Sequence, residues 1–293
     1  MKSVAIPLPE EYSHELTLAF LERSPRELLH RIENSVVTKA MRIGANDFVY
    51  SIRYKNGALV LEFLKGDATE IEKKEIVEHV REWFDLETDL KPFYKMAGKD
   101  PILQQLVKKY RGYRIIGQPD LFESLIWAVL GQQINLAFAY TLKQRFVEKF
   151  GETIDISDGQ FYLFPSFNTV AKLTPEALLA LQFSRQKAAY TIGIANAFMD
   201  GSISKEKINA LSLSDAKEEL IKIKGIGNWT ANYALMKTFR YPDAFPLEDA
   251  GLHNAIKNQL QLKSKPKPER VKRIFKKYKG WEAYATLYLW KSL

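Results

Sequence analysis

Residues 221–252 read IKIKGIGNWTANYALMKTFRYPDAFPLEDAGL, and this stretch decides the fold. Lys224-Gly225-Ile226-Gly227 forms a glycine hairpin between two helix-like segments, Asp215 to Ile223 before it and the run carrying Trp229 and Tyr233 after it. Glycine admits positive φ and close backbone approach, so the turn can bring main-chain amides against a ligand. The amides before Trp229 open a helix, where they lack intrahelical partners and sit at its positive end, a ready phosphate site. Small Ala231 and Ala234 allow the two helices to pack closely. Two glycines around one apolar residue are also ordinary at a helix–helix turn, so the hairpin alone does not establish a nucleic-acid site. Beyond the helix, Phe245-Pro246-Leu247-Glu248-Asp249 is an acidic turn whose carboxylates can stabilise a cation. Hairpin and turn together point to chemistry performed on DNA.

The rest of the chain sets bounds on that reading. At 293 residues it is long enough for two domains, and a hydrophobic fraction of 46% fits a soluble protein with a substantial core. No apolar run reaches the ~20 residues that span a bilayer. Pro7 and Pro9 interrupt the N-terminal segment, which has no signal-peptide apolar region, so a cytoplasmic protein is expected. The absence of cysteine excludes disulfides, thiol nucleophiles and cysteine-ligated zinc or iron–sulfur sites. The histidines, His14, His30, His79 and His253, have no ligand spacing, so no transition-metal site is expected. A formal net charge of +8 favours a polyanionic partner. Lys263 to Lys279 concentrates nine basic residues and one acidic residue, which is either a backbone-contacting surface or a solvated face.

An α+β N-terminal domain over residues 1–95, followed by a mostly α-helical to all-α region over 96–293, is the expected architecture. Phe48, Tyr50, Ile52 and Tyr54 alternate as in a half-buried strand, Asn56-Gly57 supplies a tight turn, and Leu59, Leu61 and Phe63 make the return strand. From Glu70 to Phe84, Ile76, Val77, Val80, Trp83 and Phe84 share one helical face. Asp120 and Glu123 have capping-box spacing before an apolar stripe of Phe122, Leu125, Ile126, Val129 and Leu130. Gly131-Gln132-Gln133 breaks that stripe, and further helices are expected over 135–150, 175–181, 185–199 and 215–223.

These blocks resemble the helix-hairpin-helix DNA glycosylases, and within them the 3-methyladenine DNA glycosylase II (AlkA) type. The resemblance rests on residues 126–134 (IWAVLGQQI), Phe164-Pro165, residues 225–233 (GIGNWTANY), Phe245 to Leu252, and Trp281-Glu282-Ala283-Tyr284-Ala285 with Trp290, in family order from about residue 100 onward. It implies a helix-hairpin-helix core with its hairpin at 215–235, base excision repair as the setting, and duplex DNA carrying a damaged base as the partner. A monomer with no membrane association and no cofactor for the chemistry is expected, with a structural Na⁺ or K⁺ held by hairpin carbonyls.

The family's catalytic aspartate falls on Asp249. The same residue reads locally as an N-cap, and the two roles are compatible, because a cap held by amides is a rigid carboxylate. Glu248 is the competing carboxylate, longer and off the matching position. Cleaving an N-glycosidic bond builds positive charge on the deoxyribose, which a fixed anion stabilises; it can also orient or deprotonate the attacking water. In members that also cut the strand, the second residue after the hairpin carries a lysine that forms a Schiff base; here that residue is Trp229, so the resemblance implies base removal without strand cleavage. Trp229, Tyr233 and Trp290 match aromatic pocket positions, although a Trp/Tyr pair at helical spacing is also an ordinary core pair. An aromatic pocket suits 3-methyladenine and 7-methylguanine, which are cationic. Gly225, Gly227 and Thr230 are the expected hairpin contacts to DNA. Gln132 and Gln133 match the loop that fills the gap left by a flipped nucleotide, where a leucine can occupy the second position; two amides closing a helix end is the plainer reading. A glycosylase for deaminated or oxidised bases, and a non-catalytic hairpin clamp, remain alternatives. A clamp has no use for a carboxylate that would repel the backbone.

Overall fold

The computed structural model describes residues 3–293, which fall into two compact units, each assembled from separated segments. One comprises the segment ending at Leu8 together with Leu18–Arg81 and Ile126–Ser202. The other comprises Pro9–Thr17, Glu82–Leu125 and Ile203–Leu293. Because the chain leaves and re-enters each, neither unit coincides with the expected 1–95 and 96–293 blocks.

The first unit contains a five-stranded antiparallel sheet of β1 (Ser3–Pro7), β2 (Arg31–Glu33), β3 (Val36–Ile43), β4 (Asn46–Lys55) and β5 (Ala58–Lys65), in the order β1-β5-β4-β3-β2. Lys55 pairs with Ala58 across Asn56 and Gly57, both at positive φ, so the expected tight turn forms as the sequence reads. Asn34 and Ser35 make a second two-residue turn of the same kind between β2 and β3.

The central strand departs from the half-buried expectation, since Phe48 through Ile52 are all buried. The cause is a hairpin that the helical reading of residues 96–293 missed: β6 (Thr153–Ile156) and β7 (Gly159–Tyr162). Its Ile154 and Phe161 pack with Ala40 and Val49, covering the second face of the sheet. Burying two such side chains contributes roughly 2 kcal/mol each. The Arg31 guanidinium lies 4.6 Å from the Phe161 ring centroid. The stretch after residue 96 is therefore mostly rather than wholly helical.

In the second unit, packing holds the elements that carry the site. The last helix, Glu282–Trp290, is buried around Phe93, whose ring lies 5.3–5.7 Å from those of Tyr94, Trp281, Tyr284 and Tyr288. The Tyr94 and Tyr288 hydroxyls are 2.9 Å apart, and Tyr284 donates to Asp85. Burial pushes the Asp85 carboxyl up to about 6, against the pull of Thr88 and Arg114. Fully buried Arg114 donates through Nε to the carbonyl of Glu11 (2.7 Å) and through Nη1 to those of Asp85 (2.6 Å) and Thr88 (2.9 Å), which offsets part of the cost of burying its charge. Near the end of the helix Asn228–Phe239, Lys237 Nζ donates to the Ile116 carbonyl, and the Lys237 main-chain carbonyl accepts from the Gln118 amide at 2.8 Å.

Candidate active site

The hairpin joins the helices Leu213–Ile221 and Asn228–Phe239. Ser212 caps the first, its hydroxyl accepting from the Asp215 amide. Gly225 adopts φ +98, a conformation that requires glycine. Gly227 differs from expectation: it is extended (φ −92, ψ −179), and a side-chain carbon there would meet nothing within 4 Å. Its value is the open space beside it, where a ligand backbone can approach. The first intrahelical bond runs from the Ala231 amide to the Gly227 carbonyl (2.9 Å), so the amides of Asn228 and Trp229 lie ahead of it at the positive helix end. Buried Ile226 anchors the turn from below. Thr230, in the first turn of the same helix, is 2% exposed. Helical geometry accounts for this, because Thr230, Ala231 and Ala234 share the packed face.

The acidic turn is tied to the hairpin helix through Asn232. Its side chain donates to the Asn228 carbonyl (2.9 Å) and accepts from the Phe245 amide (3.2 Å). Asp249 then caps the helix Ala250–Gln259. Its Oδ1 accepts from the Leu252 amide (2.6 Å) and from Trp290 Nε1 (2.7 Å), while Oδ2 accepts from Trp229 Nε1 (3.0 Å). Oδ1 is thereby saturated, and Oδ2 retains one lone-pair direction. Glu248 is exposed.

Trp229, Tyr233 and Trp290 form one aromatic group. Trp229 stacks on Tyr233 (5.3 Å, 25°), and Tyr233 meets Trp290 at 6.4 Å and 43°. One face of Trp229 is thus covered, and both indoles are oriented edge-on toward Asp249. Besides ring faces, the two tryptophans supply two N–H donors that hold the carboxylate. A Trp290→Phe variant keeps a ring and deletes one donor. It is expected to lose about tenfold in the rate of the chemical step, the worth of one charge-assisted hydrogen bond. Single-turnover kinetics checks this, and an unchanged rate would leave Trp290 as packing only.

Sequence reasoning also missed Gly251. A side-chain carbon there would lie 2.9 Å from Asp249 Oδ1 and 3.5 Å from two Trp290 indole atoms. A glycine in the first turn of a helix is unfavourable by propensity, and that was the available signal. Gln132 and Gln133, in the other compact unit, follow the helix Leu121–Gly131; Gln133 is exposed at φ +57. All nine basic residues of 263–279 are exposed, and Lys263, Lys265, Lys267, Arg270 and Arg273 line a cleft of about 370 Å³.

The sequence profile of the HhH-GPD superfamily base excision DNA repair proteins matches residues 126–280, which covers the hairpin, the acidic turn and Asp249. The chain belongs to this superfamily. A second profile, the N-terminal domain of 8-oxoguanine DNA glycosylase, matches residues 30–125. Over 99% of its length the chain is 43% identical to a DNA-3-methyladenine glycosylase of Bacillus subtilis, covering 97% of that protein. Among solved structures, it superposes on a 3-methyladenine DNA-glycosylase from Archaeoglobus fulgidus with TM-score 0.84 at 22% identity, covering 98% of this chain and 97% of that one. It also matches the apo form of an 8-oxoguanine glycosylase/lyase from Clostridium acetobutylicum, with TM-score 0.77 at 19% identity over 100% and 97% of the two chains. Since both likenesses are of fold, the HhH-GPD fold does not by itself select the base or the reaction type.

Proposed function

We propose that the protein is a monofunctional DNA glycosylase that hydrolyses the N-glycosidic bond of alkylated purines, 3-methyladenine and 7-methylguanine among them, after flipping the nucleotide from duplex DNA. The observation that carries this reading is Asp249, held by two indole N–H groups and a helix amide with one oxygen lone pair still available. The family membership and the name of the 43% identical relative support it independently.

Asp249 faces the positive charge that develops on the deoxyribose as the C1′–N bond breaks. A methylated purine is already cationic, so it leaves with the bonding electrons as a neutral base and needs no protonation. A water oxygen bonds C1′, and its proton passes to Asp249 Oδ2 or to solvent. Preorganised acceptors of this kind are worth roughly 3–4 kcal/mol. Trp229, Tyr233 and Trp290 supply electron-rich ring surface for the cationic base. Trp229 has no amine, so no Schiff base forms and the strand stays intact. Gly225 and Gly227 with the amides opening the hairpin helix hold a phosphate, and the basic cleft over 263–273 extends the positive surface in the same unit.

Among the described residues, no cluster of histidine and acidic side chains suits a transition or divalent metal. The carbonyls ending the helix Leu213–Ile221 and entering the glycine turn are a donor set that suits Na⁺ or K⁺. DNA affinity should then fall when K⁺ is replaced by tetramethylammonium at constant ionic strength; equal affinity would remove the ion. The enzyme acts as a monomer on chromosomal DNA in the cytoplasm, and a dimer mass in sedimentation would contradict the first point. Among the described residues, no helix is long and apolar enough to cross a membrane.

The substrate class is tested on duplexes carrying 7-methylguanine, 3-methyladenine, hypoxanthine or 8-oxoguanine, with released base quantified by chromatography. Release of the two methylated purines is expected. Release of 8-oxoguanine alone would transfer the protein to the oxidised-base branch.

A further inference from the structure

The basic segment 263–279, with nine cations and one carboxylate, is fastened to the Asp249 turn at two points. One fastening is aromatic. Phe275, at the end of the helix Pro268–Phe275, stacks on Phe245 at 4.4 Å and 15°. The other is His253, in the helix that Asp249 caps. Its Nε2 lies 2.8 Å from the carbonyl of Leu247, two residues before Asp249, and its Nδ1 lies 2.9 Å from the carbonyl of Pro266. A carbonyl oxygen only accepts, so both bonds form together only when both ring nitrogens carry hydrogen. The His253 amide donates to the Asp249 carbonyl as well (3.1 Å), which closes a ring of bonds over residues 247–253.

The bridge joins the turn to a stiff strip of chain. Pro266 and Pro268 each hold the lysine before them out of the helical region. Lys267 is extended accordingly (φ −66, ψ 154), and it opens the following helix without a side-chain cap bond. Pro266 is buried, whereas Lys265 and Lys267 beside it are exposed and line the cleft with Lys263, Arg270 and Arg273. Five cations against one carboxylate, Glu269, suit phosphodiester groups. A lysine run kept for solubility alone has no use for two prolines and a histidine bridge to an acidic turn.

We propose that the cleft takes backbone phosphates of the substrate duplex, and that His253 is the positioning residue through which their engagement sets the Asp249 turn for base release. This rests on the glycosylase reading above. Lysines on so stiff a strip do not move toward a phosphate by themselves. The Pro266 carbonyl moves with them, and His253 carries the displacement to Leu247, where a small shift of the carboxylate changes the rate.

The test is a double-mutant cycle on the full-length protein with a 7-methylguanine duplex. Kd is read by fluorescence anisotropy and the chemical step by single-turnover release at saturating enzyme. Lys265→Gln combined with Lys267→Gln removes two cations and no helix cap. This pair should weaken binding, reduce the slope of log Kd against log salt by about two, and slow saturated release about tenfold. Glutamine places its amide nitrogen where the histidine Nε2 stands, and asparagine where Nδ1 stands. His253→Gln therefore keeps the Leu247 bond and cuts the Pro266 tether, while His253→Asn does the reverse. Each should slow saturated release about tenfold with Kd unchanged. In either background the lysine pair should still weaken binding but slow release no further, because the link is already cut. Running the cycle on both variants lets one decide if the other misfolds. A lysine pair that alters Kd alone, or rate losses that multiply in the combined variants, would overturn the coupling and leave the glycosylase reading standing. An unchanged salt slope would overturn the phosphate site. Wild-type protein that releases no 7-methylguanine would overturn the glycosylase reading and the coupling with it.

Discussion

Asp249→Asn is expected to bind damaged duplex DNA as tightly as the wild type and to release base about 10²- to 10³-fold more slowly. Asparagine caps a helix as well as aspartate does, so the helix Ala250–Gln259 should stay in place and the thermal midpoint should change little. What changes is the receiving group. Three N–H donors converge on the two carboxylate oxygens, and an amide turns one of those acceptors into a donor that opposes an indole N–H. The variant thus loses the anion that stabilises the sugar cation, along with one of the contacts that fix its position. Single-turnover base release with a parallel binding isotherm separates the two effects. A variant that binds normally and releases base at the wild-type rate would move the chemistry away from Asp249.

Gly251→Ala is expected to lower activity while leaving the fold as stable or more so. The added methyl would stand 2.9 Å from Asp249 Oδ1, closer than side-chain carbons sit, and the atoms that can yield are the carboxylate and the Trp290 indole. A misplacement on the order of 1 Å in a reacting constellation costs about 10²-fold. In the helix itself the change removes a glycine, which is favourable by up to roughly 1 kcal/mol. Stability and rate should therefore move in opposite directions, which a general packing defect would not produce. A loss of rate accompanied by an equal loss of stability would count against Gly251 as the residue that makes room for the carboxylate.

These two residues also illustrate which parts of the molecule were legible in the sequence. The glycine turn, the amphipathic helices and Asp249 as a cap are local signals, carried by residues a few positions apart, and they stand where the sequence places them. The Asn56-Gly57 turn was equally plain, because few residue pairs accept positive φ at both positions. The convergence of Trp229 and Trp290 on Asp249 was not legible. The three lie 20 and 41 positions apart, and their meeting depends on how the last helix packs around Phe93. The hairpin β6–β7 was missed because four-residue strands carry little periodicity, and its stability comes from the sheet face it covers rather than from its own residues. Gly251 gave a weak signal of its own, a glycine inside a helix, whose meaning depended on which carboxylate stood beside it.

The central claim is that base departure is driven by an anchored carboxylate and water, with no amine attached to the sugar. It is tested most directly by one single-turnover reaction on a 7-methylguanine duplex in the presence of borohydride, with free base, strand breaks and trapped protein–DNA complex scored separately. Free 7-methylguanine in step with intact-strand abasic sites, and no trapped complex, is the predicted result. A borohydride-trapped complex with strand breaks formed at the rate of base release would contradict it.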